Sequence, residues 1–315
     1  MQETYNNKNS KNFDDEIDLR ELFSVLFQGK WIIISLTAIL SIIGVIYSLQ
    51  LPNVYKSEAL LVPVNTSSGI SGALGSYSGL AGLAGISLPS AGDNGNSQKA
   101  IQKLSSLSFF EHNILPNIFL PDLMAVKSWD YQSNKLTYDE NIYDKSSSSW
   151  VKIYSDPKKK IPSAQEAFRV FTNAHLSVNE DKSSGFLTLS IKHQSPYIAK
   201  KWAELLINQV NNFYRQKDKS ESEKAVSYLN KQISMTSLAE IKQVIAELLQ
   251  EETQKLTLIE ANQFYVFEYV DPPAVMEIKS EPKRALICIL FALAGGILSI
   301  IMVLFKHYGL RNKNS

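Results

Sequence analysis

Residues 31–51 read WIIISLTAILSIIGVIYSLQL and residues 285–305 read ALICILFALAGGILSIIMVLF, and neither run carries a charge. Each has 21 residues, which at about 1.5 Å of helical rise per residue is roughly 30 Å, the thickness of a bilayer's hydrocarbon core. Both are expected to be transmembrane helices. The first is too long for the apolar region of a cleaved signal peptide, and Leu51-Pro52-Asn53 follows it in place of small residues, so it is expected to stay as an anchor.

Two spans put both tails on one side of a membrane and the intervening chain on the other. Basic residues near the spans are Arg20, Lys30, Lys306, Arg311 and Lys313 with the tails, against Lys56, Lys279, Lys283 and Arg284 with the loop. That margin, and the ease with which long loops are translocated, predict cytoplasmic tails and an external domain. The expected organisation is a tail with an amphipathic helix over 1–30, spans over 31–51 and 285–305, an outer domain over 52–284, and a tail over 306–315.

In the first tail, residues 1–12 are polar and without period, as in a disordered segment. Asp18 with Glu21 has the spacing of a helix start, and Leu19, Leu22, Phe23, Leu26 and Phe27 make one apolar stripe. Such a helix, placed just before Lys30 and Trp31, is expected to lie on the inner membrane face.

Beyond the first span, Val54–Val64 reads as a strand. Residues 66–98 are then dense in Gly, Ser and Ala, with no charge from Ala59 to Gly92. A third span is disfavoured by the seven glycines and two prolines in that stretch and by the odd span count it would create. A phosphate-cradling loop is disfavoured because no Gly-Lys-Ser/Thr follows. The expected feature is a mobile loop whose apolar tip, Leu80, Leu83 and Ile86, contacts a neighbour.

Further on, Gln98–Leu115 has helical apolar spacing and stops before Pro116; Ser163 with Glu166 starts another helix. A turn over Asp181–Gly185 leads into Phe186–His193, where Leu187, Leu189 and Ile191 alternate with Thr188, Ser190 and Lys192, the pattern of a half-buried strand. Ser195-Pro196 opens a long helical tract through Ile233, and Ser237 with Glu240 starts a second, so residues 196–262 are expected to be long helices. A helix of about 40 residues is about 60 Å long. Part of it should project, and projecting apolar stripes favour self-assembly. Phe264–Val270 reads as a returning strand, followed by a proline-bearing stretch over 271–284.

Chemistry is hard to place on this chain. Its four histidines fall in unrelated segments without metal-ligand spacing, and its one cysteine, Cys288, lies in the second apolar run. No nucleophile elbow or Walker loop appears, and the last ten residues leave no room for a kinase domain. No cofactor, metal or catalytic residue is expected, and a net charge of +1 offers nothing to nucleic acid. In the second run, Ala292 with Gly296 and Gly295 with Ser299 are small-xxx-small pairs that allow close helix approach in lipid; chance spacing in an apolar helix is an equal alternative.

The order of these features resembles the Wzz-type chain-length determinants of the polysaccharide co-polymerase family, in the form without a kinase domain. The resemblance rests on Ile17-Asp18-Leu19-Arg20-Glu21-Leu22 with Lys30-Trp31, Gly85-Ile86-Ser87-Leu88-Pro89, and Leu187-Thr188-Leu189-Ser190-Ile191 before Ser195-Pro196. Tyr265-Val266-Phe267 before Asp271-Pro272 adds to it. The family's proline-rich motif is carried by Pro272, Pro273, Pro282 and Lys283, with Val275 where a second proline is usual. The resemblance implies an α+β membrane protein: a periplasmic base with a long helical extension, between terminal transmembrane helices in the bacterial inner membrane. It also implies a homo-oligomeric ring that works with the O-antigen polymerase on a lipid-linked glycan and sets the modal length of lipopolysaccharide. The second span would contact the polymerase. An export adaptor for capsular polysaccharide and a two-span membrane sensor are the alternative readings.

Overall fold

In the computed structural model of the chain, residues 19–64, 95–152 and 160–311 are described. The elements in order are helices α1 (Leu19–Gln28) and α2 (Lys30–Gln50), strand β1 (Tyr55–Pro63), and α3 (Gly95–Leu104). Short helical turns follow at Leu107–Phe109, Phe110–Ile114 and Leu115–Asn117, then α4 (Leu120–Met124). Two small hairpins come next, β2 (Val126–Asp130) with β3 (Lys135–Tyr138) and β4 (Tyr143–Asp144) with β5 (Ser149–Trp150). The rest is α5 (Ala164–Val170), β6 (Leu176–Glu180), β7 (Leu187–His193), α6 (Pro196–Met235), α7 (Ala239–Ala261), β8 (Phe267–Asp271) and α8 (Arg284–Arg311).

The chain divides into two compact units, one of them Pro52–Glu281. Its centre is an antiparallel four-stranded sheet in the order β6-β7-β1-β8. Alternation fixes its buried face: Ala59, Leu61, Leu187, Leu189 and Ile191 are sealed from solvent, as one-sided sheet packing demands. The first half of α6 covers that face. Ala199 and Ala203 let its backbone approach closely, and Trp202, Leu206, Ile207 and Val210 fill the space between; each large side chain contributes on the order of 2 kcal/mol by burial.

After Tyr214, Ser222 is the one remaining buried residue of α6. Its outer half pairs instead with α7, which turns Ile245 and Ile259 inward and leaves Leu238 beside its first turn, with Ile241, Val244 and Leu248, exposed. The 40-residue α6 thus has a base half that belongs to the core and an outer half that belongs to a helical hairpin.

Three local expectations need correction. The helix anticipated over Gln98–Leu115 is broken after Leu104, because the Ser106 hydroxyl accepts the Phe109 N–H and starts a new turn. Ser195 stands at the cap position of α6 but its hydroxyl caps nothing; its N–H donates to His193 Nδ1 at 2.9 Å. Ser237 does not start α7 either. Residues 236 and 238 are extended, Thr236 Oγ1 donates back to Gln232 O at 2.8 Å, and α7 begins at Ala239. By contrast Ser163 and Glu166 form the full capping box at the head of α5.

The second unit comprises the described parts of Met1–Leu51 and Pro282–Ser315. Helix α2 and residues Arg284–His307 of α8 are long and apolar enough to cross a membrane. Their large side chains, including Ile34, Ile42, Leu293, Ile297 and Phe305, point away from the protein. A core helix of a soluble domain would turn them inward. The fold is therefore mixed α and β, with long helices and an apolar helix near each end.

Candidate functional site

Helices α2 and α8 pack against one another along a seam of small residues. A Cβ on Gly44 would fall 2.6 Å from Phe291 Cβ, so something would have to shift there, and one on Gly295 would lie 3.1 Å from Thr37 Cα, tighter than an ordinary contact; glycine at both lets the helices approach closely. Ser299 is fully buried in the same unit, its hydroxyl satisfied by Gly296 O at 2.7 Å. Gly296 differs: a Cβ there would meet nothing within 4 Å. Of the two pairs anticipated from spacing, Gly295 with Ser299 is taken up inside this chain, and Ala292 with Gly296 is only partly covered. Gly29, the residue between α1 and α2 where a Cβ would crowd Val303 at 2.5 Å, and Gly44 were not anticipated; for Gly44 the available signal was its standing as the lone glycine of α2.

Helix α1 runs directly ahead of α2. Val25 is buried and Leu22 and Leu26 are half-buried, while Phe23 and Phe27 are 72% and 70% exposed, so the two phenylalanines of the apolar stripe face outward.

The proline-bearing stretch acts as a strap within its unit. Val54 N–H donates to Glu281 O at 2.9 Å, Ser280 N–H donates to Val54 O at 2.9 Å, and Ser57 Oγ donates to Ala274 O at 2.8 Å. Lys192 Nζ adds an ion pair to Glu281 at 2.6 Å. Pro273 is buried and Pro272 exposed; the strap holds the two ends of Pro52–Glu281 side by side. Pro282 O then accepts the Arg284 N–H at 2.9 Å, and Lys283 is exposed. Leu80, Leu83 and Ile86 lie outside the described residues.

The buried histidines of the sheet unit are held by ring packing and backbone hydrogen bonds. His175 and His193 stack with ring centroids 5.6 Å apart, both edge-on to Trp202. His193 Nδ1 accepts from Ser195, so its Nε2–H donates to Asp122 O at 2.9 Å; His175 Nδ1 lies 2.7 Å from Lys192 O. Burial pushes both imidazoles down to about 4, and the neighbouring ring adds to this at His175. The sequence spacing of 18 hides this pair, which the β6–β7 register creates by setting Leu176 opposite Ile191. Burial likewise raises Asp122, which accepts from Tyr138 Oη at 2.7 Å. Among the described residues, no three His, Cys, Asp or Glu side chains are placed to hold a metal ion.

At the foot of the helical hairpin, Arg215 donates to the carbonyls of Asn262 and Gln263 at 2.6 Å, Tyr265 Oη donates to Asp218 at 2.6 Å, and Lys219 pairs with Glu260.

Residues 15–113 match the family model described as Wzz, chain length determinant protein. These residues are a Wzz domain. The Wzz match spans α1, α2, β1 and α3, and β1 is the strand that pairs on one side with β7 and on the other with β8. The Wzz residues therefore share one sheet with strands from far along the chain.

The chain is also similar to solved structures. A full-length bacterial polysaccharide co-polymerase is 14% identical, with 95% of this chain and all of that chain covered, at a TM-score of 0.41. A fragment of WzzB, polysaccharide co-polymerase from Salmonella Typhimurium, is 13% identical over 73% of this chain and all of the fragment, at 0.33. For the Shigella flexneri lipopolysaccharide O-antigen chain-length regulator WzzBSF the figures are 11%, 72%, 100% and 0.25. No curated protein matches the sequence.

Proposed function

We propose that the chain regulates the modal chain length of a bacterial surface polysaccharide, the O-antigen of lipopolysaccharide, as a homo-oligomeric co-polymerase without catalysis of its own. The observation that carries this reading is the Wzz match, in a segment that contains both the first apolar helix and the central strand of the sheet. In this proposal α2 and α8 cross the inner membrane, both tails are cytoplasmic, and Pro52–Glu281 is periplasmic. The strap at Val54 and Glu281 supports that placement, since it brings together the two ends that would meet one membrane surface.

Partners in the proposal are further copies of the chain, the inner-membrane polymerase and its lipid-linked glycan. The exposed side chains of Leu238, Ile241, Val244 and Leu248 favour self-assembly through the helical hairpin. Gly296, where a Cβ would meet nothing within 4 Å, and half-buried Ala292 are the small-residue pair proposed to meet the polymerase.

The test is sufficiency. Expressed in cells that retain their polymerase but lack their own length regulator, the chain is expected to convert a featureless ladder of lipopolysaccharide into one with a modal band. An unchanged ladder at normal expression would refute the reading.

A further inference from the structure

Both small hairpins line an open cleft of about 400 Å³, within the range of small-molecule sites. Its inner wall is aromatic: the rings of Tyr138 and Tyr143 lie 5.7 Å apart, in a cluster that continues through Phe119 and Trp150. Around the opening, acidic and basic side chains mix, Asp130 and Asp144 with Lys135 and Lys145. The Lys145 ammonium lies 5.5 Å over the Tyr138 ring, so a basic and an aromatic group meet at the cleft.

The composition narrows the ligand. A purely apolar guest would strip water from charged side chains without replacing their hydrogen bonds, and a phosphate would find each lysine offset by a carboxylate. Hydroxyls of Ser133 and Ser147 hold Asp130 and Asp144 below the usual carboxylate range, so both stay ionised at neutral pH. Ionised carboxylates only accept and ammonium groups only donate. A matching ligand therefore carries both donors and acceptors, on a body with an apolar face for the rings. A pyranose does this, with hydroxyls at its edge and C–H bonds on its face.

We infer that this cleft binds a sugar residue of the polysaccharide whose length the chain regulates. The inference rests on the proposed function for its choice of glycan; the cleft's own lining supplies the chemistry.

Saturation-transfer NMR on the full chain in detergent tests it, with the delipidated surface polysaccharide of the producing strain as probe. Saturation is expected to reach sugar-ring protons. Lys145→Ala and Asp144→Asn should each weaken binding roughly three- to tenfold, the scale of one lost hydrogen bond, and Tyr228→Ala on the outer half of α6 should leave it unchanged. Circular-dichroism melts check that each variant folds, and Lys135→Ala replaces any that does not. Equal binding by wild type and cleft variants overturns the site. A chain that imposes a modal band in cells yet shows no saturation transfer also overturns it, and leaves the chain-length reading intact. Transfer by a chain that never alters polymer length supports the site and defeats that reading.

Discussion

Asn211 grips the peptide of Phe267 at both ends: its Nδ2 donates to Phe267 O at 3.0 Å and its Oδ1 accepts the Phe267 N–H at 2.9 Å. The same Oδ1 takes the Val266 N–H at 2.7 Å. Both residues are buried, and because Val64 N–H donates to Val266 O, Phe267 is the non-bonded partner of Pro63 and turns its own N–H and C=O away from β1. One amide thus fixes the returning strand to the core half of α6. Asn211→Ala leaves three buried backbone groups unpaired, and should cost about 2–4 kcal/mol in a urea melt of the full chain in detergent. Asn211→Asp sets a buried carboxylate oxygen against Phe267 O and should cost at least as much as Asn211→Ala.

Stability should fall with acid. His175 and His193 are neutral in the fold, at about 4, against about 6.5 in an unfolded chain. The unfolded state therefore binds more protons between these values, so stability is full above about pH 6.5 and lost as pH falls towards 4. The loss is of the order of 3 kcal/mol per imidazole at most. His175→Gln should remove about half of the slope between pH 6.5 and 4; an unaltered slope would assign it to other groups.

The seam between α2 and α8 predicts a contrast between neighbouring glycines. Gly44→Val and Gly295→Val force side chains into Phe291 and Thr37, and each should cost about 1–3 kcal/mol in a detergent melt. Gly296→Val meets open space and should leave the melt unchanged. If Gly296 is a polymerase contact, that variant alters polymer length while the protein stays folded.

At the foot of the helical hairpin, burial decides which tie matters. Tyr265→Phe loses a half-buried hydrogen bond to Asp218 and should cost about 1 kcal/mol. Glu260→Gln breaks the solvent-exposed pair with Lys219, and thermal melts at low and high salt should not distinguish it from wild type.

Much of this architecture could be read from residue order. Uninterrupted apolar runs mark α2 and α8, strict alternation marks β7, and Ser163 with Glu166 marks the start of α5, because each signal is local. The two hairpins from Val126 to Trp150 escaped, since their turns use no glycine. Asp130 and Asp144 instead hold the N–H groups of Gln132 and Ser146, with Asn134 and Ser148 at φ 50°. Asp-x-x-Ser at 130–133, 144–147 and 181–184 was the signal to find. The imidazole stack, the Asn211 grip and the strap at Val54 and Glu281 depend on strand register and on contacts across tens to hundreds of residues, which periodicity does not encode. Of the anticipated contacts, spacing alone could not tell that Gly295 faces α2 and Gly296 does not.

In the proposed function this chain sets polymer length without building or exporting the polymer. Gel electrophoresis of lipopolysaccharide from a strain deleted for it separates these roles. Loss of the modal band with the ladder of shorter and longer chains retained is the predicted result. Disappearance of surface polysaccharide altogether, or a ladder identical to the parent's, would contradict it.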